Sequence, residues 1–145
     1  LAFEHQNCIG IAPLFQQQLN DFDIAAVQSL AQRYPGRVNL MLVPSASVVY
    51  PENVPAGAPQ IDEKGILEGV AAQGEAYGRF IDVLPALTEH KGEYLYYRTD
   101  HHWTTLGAYY AYQQFCETLG LTPFDRDTHT AETCEDFYGT HYSKT

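Results

Sequence analysis

The stretch Val38-Asn-Leu-Met-Leu-Val43 limits the choice of fold more than any other part of this chain. It is apolar apart from Asn39, short, partly β-branched and closed by Pro44, so it reads as a strand buried on both sides. Just before it, Leu19, Phe22, Ala26, Leu30 and Tyr34 recur at steps of three and four between Leu14 and Tyr34. That spacing lays out one face of an amphipathic helix, which Pro35-Gly36 stops. A helix feeding a doubly buried strand is the repeating unit of α/β folds.

The pattern continues. Ser45 to Pro59 holds three prolines and a Pro-Ala-Gly-Ala-Pro run, which favours an irregular loop. Asp62 to about Ala76 predicts a helix, although Gly65, Gly69 and Gly74 each weaken it by about 1 kcal/mol relative to Ala. Phe80 to Val83 reads as a second strand, Pro85 to His90 as a helical turn, and Tyr94 to Arg98 as a third strand. Thr104 or Thr105 caps a further helix with an apolar stripe of Ala108, Tyr112, Phe115, Cys116 and Leu119, ended by Gly120. Beyond Pro123 the chain is polar and aperiodic, the mark of a surface arm. The expectation is one three-layer α/β/α domain over residues 1–145 with a mostly parallel sheet.

Composition narrows the function. A chain of 145 residues, 45% hydrophobic and 18% charged, buries one ordinary core. A formal charge of −10 repels nucleic acid and anionic headgroups, so a nucleic-acid partner is not expected. No run approaches the roughly 20 apolar residues of a membrane span. Cys8, Cys116 and Cys134 include no C-x-x-C pair, which argues against a zinc knuckle or a thioredoxin-like site. For an exported chain we expect Cys8 to pair with Cys134, leaving Cys116 on the buried side of its helix. The chain begins at Leu1 and stops at Ser-Lys-Thr, and we read it as a piece of something longer, with any membrane tether outside it.

Ligands of an open α/β sheet gather at the carboxyl ends of its strands. Asp100 and His102, within Arg-Thr-Asp-His-His-Trp, fall where the expected third strand meets the next helix. A carboxylate two residues from an imidazole fixes its tautomer and leaves it free to move a proton. From spacing alone the plainer reading is that Asp100 caps the helix and the histidines bond locally. His101 beside His102 suggests a metal, but neighbouring side chains on a strand point to opposite faces, so no metal or cofactor is expected. The letters Asp-His-His also name a phosphoesterase family, whose further Asp-containing metal motifs are missing here.

The wider string decides between them. Tyr96 to Ala111, Tyr-Tyr-Arg-Thr-Asp-His-His-Trp-Thr-Thr-Leu-Gly-Ala-Tyr-Tyr-Ala, resembles the DHHW family of bacterial exported proteins, as do Leu40 to Pro51 and Phe137 to Thr145. That family is similar to SGNH hydrolases of the alginate O-acetyltransferase type. The resemblance implies an SGNH-like fold, an extracytoplasmic or cell-surface location and a serine acyl-ester enzyme acting on carbohydrate. It gives Asp100 the role of orienter and His102 that of base, with Trp103 supporting the loop. It also implies that the nucleophilic Ser follows the Asp-x-His block. No Gly-Asp-Ser or Gly-x-Ser-x-Gly occurs here, so the Ser is expected beyond Thr145 and this piece to be inactive alone.

Other residues carry weaker readings. Ser45 and Ser47, just past a strand, are rival nucleophiles, although a turn bonded to local backbone suits Ser45 better. Arg98 and His101 are candidate substrate contacts, an internal ion pair being the plainer role for Arg98. Tyr96, Tyr97, Tyr109 and Tyr110 form either a sugar platform or, more simply, core. His5, His90, His129 and His141 lack a local partner pattern and read as surface. The alternative to an enzyme is a noncatalytic surface module binding glycan or protein; a metal-dependent hydrolase is a third class. An open sheet edge would further favour a dimer.

Overall fold

A computed structural model describes residues 24–73, 76 and 78–142. Its order is α1 (Ile24–Arg33), β1 (Asn39–Met41), α2 (Ala46–Val49), a 3-10 turn at Pro51–Asn53, α3 (Glu63–Ala72), β2 (Arg79–Ile81), α4 (Leu84–Glu89), α5 (Thr105–Leu119) and a 3-10 turn at Arg126–Thr128. The fold is α/β. Strands β1 and β2 pair in parallel, Leu40 opposite Phe80 and Met41 opposite Ile81. No described helix is long and apolar enough to cross a membrane.

Local chemistry accounts for the element ends. Asp62 caps α3 by accepting from the Gly65 N–H at 3.0 Å. Thr104 caps α5 by accepting from Gly107 N–H at 3.2 Å, while its own hydroxyl donates to the Tyr94 carbonyl at 2.7 Å. At the other end Gly120 takes the left-handed conformation, φ 67°, and its N–H reaches the Glu117 carbonyl while that of Leu121 reaches Cys116. This is the paired helix stop that a residue without Cβ makes at least cost.

The core lies over one end of the sheet. Val49 of α2, Ile81 of β2, Val83, Leu87 of α4, Leu95, Tyr96, and Tyr110 and Ala111 of α5 form one buried cluster. Tyr96 and Tyr110 are thus core residues, while Tyr97 and Tyr109 are half-buried. Their hydroxyls stay partnered: Tyr96 donates to the Pro44 carbonyl at 2.6 Å and Tyr110 to Glu93 Oε1 at 2.5 Å. Burial of the Tyr96 ring pushes its phenol well above the ordinary range, so it stays a donor.

Several expectations need correction. Tyr94 to Arg98 does not join the sheet. Tyr96 instead makes an isolated antiparallel bridge with Trp103, because its backbone is taken up by the residues that follow. Strand β1 is half-buried rather than covered on both faces: Asn39 is exposed, as is Val43 just past the strand. The inward face of α1 is one position off the expected row: Ala31 is buried while Ala26, Leu30 and Tyr34 are exposed, and Leu19 and Phe22 lie outside the described residues. On α5 the buried positions are Gly107, Tyr110, Ala111 and Cys116 rather than the whole stripe from Ala108 to Leu119. The Ser45–Pro59 loop contains α2 and a 3-10 turn. The Cys116 thiol is buried and that of Cys134 exposed; the expected pair of Cys8 with Cys134 falls on Cys8, which lies outside the described residues.

Candidate functional site

The Asp-His segment is a small antiparallel hairpin set on the core. Thr104 N–H donates to the Leu95 carbonyl at 2.7 Å and Tyr97 N–H to the His102 carbonyl at 3.2 Å. These bonds close the chain around residues 98–101. Leu95 and Tyr96 are buried on one side of the hairpin, and Trp103 packs against the same cluster on the other. The Tyr96 hydroxyl ties the hairpin to Pro44, three residues past β1, near that strand's carboxyl end. Gly107 allows the close fit, since a Cβ there would press on the Leu95 carbonyl.

Within that frame Asp100 and His102 meet. Asp100 Oδ1 accepts from His102 Nδ1 at 2.5 Å and from the His102 backbone N–H at 2.9 Å. Oδ2 accepts from the Thr140 N–H at 2.8 Å. The Asp100 side chain is 6% exposed and that of His102 63%. Burial opposes ionisation of Asp100, but the N–H donors of Thr140 and His102 outweigh it and hold the carboxyl well below the usual carboxylate range. An ionised Asp100 fixes the proton of His102 on Nδ1 and leaves Nε2 as a proton acceptor on an open ring.

Asp100 is therefore not a helix cap; Thr104 fills that role. Nor do the two histidines diverge. The loop turns at this point, and the rings of His101 and His102 lie side by side with centroids 3.9 Å apart, so the strand geometry used against a shared metal does not apply. Ligand atoms of Asp100, His101 and His102 lie within 4.8 Å of one another. A metal taking Asp100 Oδ1 and His102 Nδ1 would displace the bond between them, since these two atoms already bond to each other. His101 Nδ1 is hydrogen-bonded to the Thr140 hydroxyl at 3.3 Å.

Ser45 is held elsewhere. Its hydroxyl donates to Glu63 Oε2 at 2.5 Å and meets Ser47 Oγ at 2.8 Å, while its N–H donates to Glu63 Oε1 at 2.7 Å. The turn reading expected bonds to local backbone; a carboxylate from α3 takes them instead. Among the described residues no serine hydroxyl bonds to His102. Arg98 makes no ion pair among the described residues, and its guanidinium sits over the Tyr94 ring at 5.9 Å. Arg98, Tyr94 and Tyr97 line a cavity of about 280 Å³ together with Tyr50, Tyr96 and Lys91. His90 and His141 are half-buried rather than superficial, His90 stacking on Tyr110 at 3.6 Å; His129 is exposed, and His5 lies outside the described residues. The partner that sequence reasoning missed is Thr140, forty residues from Asp100 in a segment expected to be a surface arm.

A family model described as DHHW protein matches residues 14–145. A crystal structure of a DHHW family protein from Eubacterium siraeum is 32% identical, with a TM-score of 0.69 over 83% of this chain and 41% of that one. The O-acetyltransferase domain of Pseudomonas putida AlgJ is 21% identical, with a TM-score of 0.66 over 86% of this chain and 49% of that one. This chain thus spans less than half of either solved structure. No curated protein sequence matches it.

Proposed function

This chain belongs to the DHHW protein family, and from that premise we propose that it carries the acid–base half of an SGNH-type serine acyl-ester enzyme of the bacterial cell envelope. The observation that carries the reading is the bond of 2.5 Å between a buried Asp100 oxygen and Nδ1 of an exposed imidazole. The similarity in fold to the AlgJ O-acetyltransferase domain supports the same chemistry.

In this reaction a serine outside the described set of Ser29, Ser45 and Ser47 attacks an acyl carbonyl. His102 Nε2 accepts its proton and returns it to the leaving oxygen; the acyl group then passes to a carbohydrate hydroxyl or to water. Asp100 holds the imidazole in the productive tautomer and stabilises its charged form. The cavity beside the hairpin, with Arg98 and four tyrosines at its wall, favours a second reading in which the fold only binds a cell-surface ligand.

The two separate in one experiment on the full-length protein with a chromogenic acetyl ester and a fluorophosphonate probe. We expect turnover and labelling in wild type, and a loss of both of at least 10²-fold in His102→Ala. Neither turnover nor labelling in wild type would reject the enzyme and leave the binding module.

A further inference from the structure

The segment Phe137–His141 grips the Asp-His loop along its length. Phe137 packs on Tyr97 with ring centroids 4.5 Å apart. Gly139 N–H donates to Thr99 Oγ1 at 3.0 Å, Thr140 N–H to Asp100 Oδ2 at 2.8 Å, and His141 N–H to the Thr99 carbonyl at 2.9 Å. The Thr140 hydroxyl bonds to His101 Nδ1 at 3.3 Å. The approach leaves no room for a side chain at 139, where a Cβ would collide with the Thr99 carbonyl oxygen and the Asp100 Cβ.

We propose that Gly139 and Thr140 are positioning residues: a backbone strap that turns the Asp100 carboxylate so that only Oδ1 faces His102. A carboxylate rotates easily about its last bond, and with both donors of His102 on Oδ1 and no donor on Oδ2 it would swap its two oxygens and sample orientations that loosen the imidazole. The Thr140 N–H removes that freedom by holding the second oxygen. The hydroxyl of Thr140 also bonds to His101, fixing it so that its ring stays against the His102 ring. Gly139 is the condition for both, because the strap must touch the Thr99 backbone to reach Asp100. This inference rests on the acyl-ester reading for its functional meaning, but not for its geometry.

The test is proton NMR on the full-length protein, following the His102 Nδ1 proton, which a short bond to a carboxylate moves far downfield and which is assigned by its loss in His102→Ala. We expect the resonance in wild type and in Thr140→Ala, which keeps the N–H. We expect it to be lost or moved upfield in Gly139→Ala and Thr140→Pro, with the melting transition retained because no core residue belongs to the strap. Phe137→Ala, which loosens the strap without touching its backbone, should weaken it. An unchanged resonance in Gly139→Ala and Thr140→Pro, or its absence from wild type, overturns the proposal. Where turnover is measurable, Gly139→Ala should lower kcat about 10²-fold with KM little changed, the size of effect that a misplacement of about 1 Å produces. If wild type has no turnover, the acyl-ester reading fails and the resonance still decides the strap.

Discussion

Asp100 concentrates the consequences of this structure in one side chain. Its carboxyl is held below the ordinary value by N–H donors that the unfolded chain does not supply in this arrangement. A group whose folded pKa is depressed adds stability that is complete above its unfolded value, about 3.9, and is lost as pH falls toward the folded one. The difference in melting temperature between wild type and Asp100→Asn should therefore be constant near neutrality and shrink below about pH 4. A difference that stays constant down to pH 2 would show that the donors do not discriminate the ionised form. On the acyl-ester reading, the same substitution in the full-length protein should lower kcat on the order of 10⁴-fold, since an amide in place of the carboxylate permits the wrong imidazole tautomer.

Among the elements, α5 and the hairpin before it act as one unit through Thr104. Its side chain accepts from Gly107 and donates to Tyr94 while 5% exposed, so Thr104→Val should cost about 1–3 kcal/mol by urea unfolding. A change under half a kcal/mol would mean that solvent replaces both bonds. The start and stop of α5 were legible in the sequence because Thr104 and Gly120 act through neighbours three or four residues away. So were β1 and β2, whose short apolar runs survive as a parallel pair. Tyr94 to Arg98 misled because aromatic residues suit any extended backbone, and nothing local says whether the partner is a sheet or, as for Tyr96 and Trp103, the chain seven residues on. The buried face of α5 is set by what it packs on, α4 as well as β2, which the stripe in the sequence does not reveal. Asp100 and His102 were visible as a pair; Phe137 to Thr145 was visible as a family-like stretch, but its hold on Asp100 was not, since a backbone donor forty residues away leaves no mark in side-chain pattern.

At the scale of the molecule, one cluster joins α2, β2, α4, α5 and the foot of the hairpin, so stability and site geometry share the same residues. Leu87 and Leu95 are both fully buried. Leu87→Ala should cost about 2–5 kcal/mol, read from denaturant midpoints, and Leu95→Ala a similar amount. Leu95 also carries the carbonyl that receives Thr104, so its truncation should loosen the hairpin first, seen as faster amide exchange at residues 97–104 than at α4. Equal protection in both regions would separate the core from the loop. The strap adds a matter of timing. Asp100 leaves the ribosome forty residues before Thr140, an interval of about 2–8 s at ordinary elongation rates. During that time the nascent chain carries Asp100 and His102 with one carboxylate oxygen still unheld, and their geometry waits on a segment made well after them.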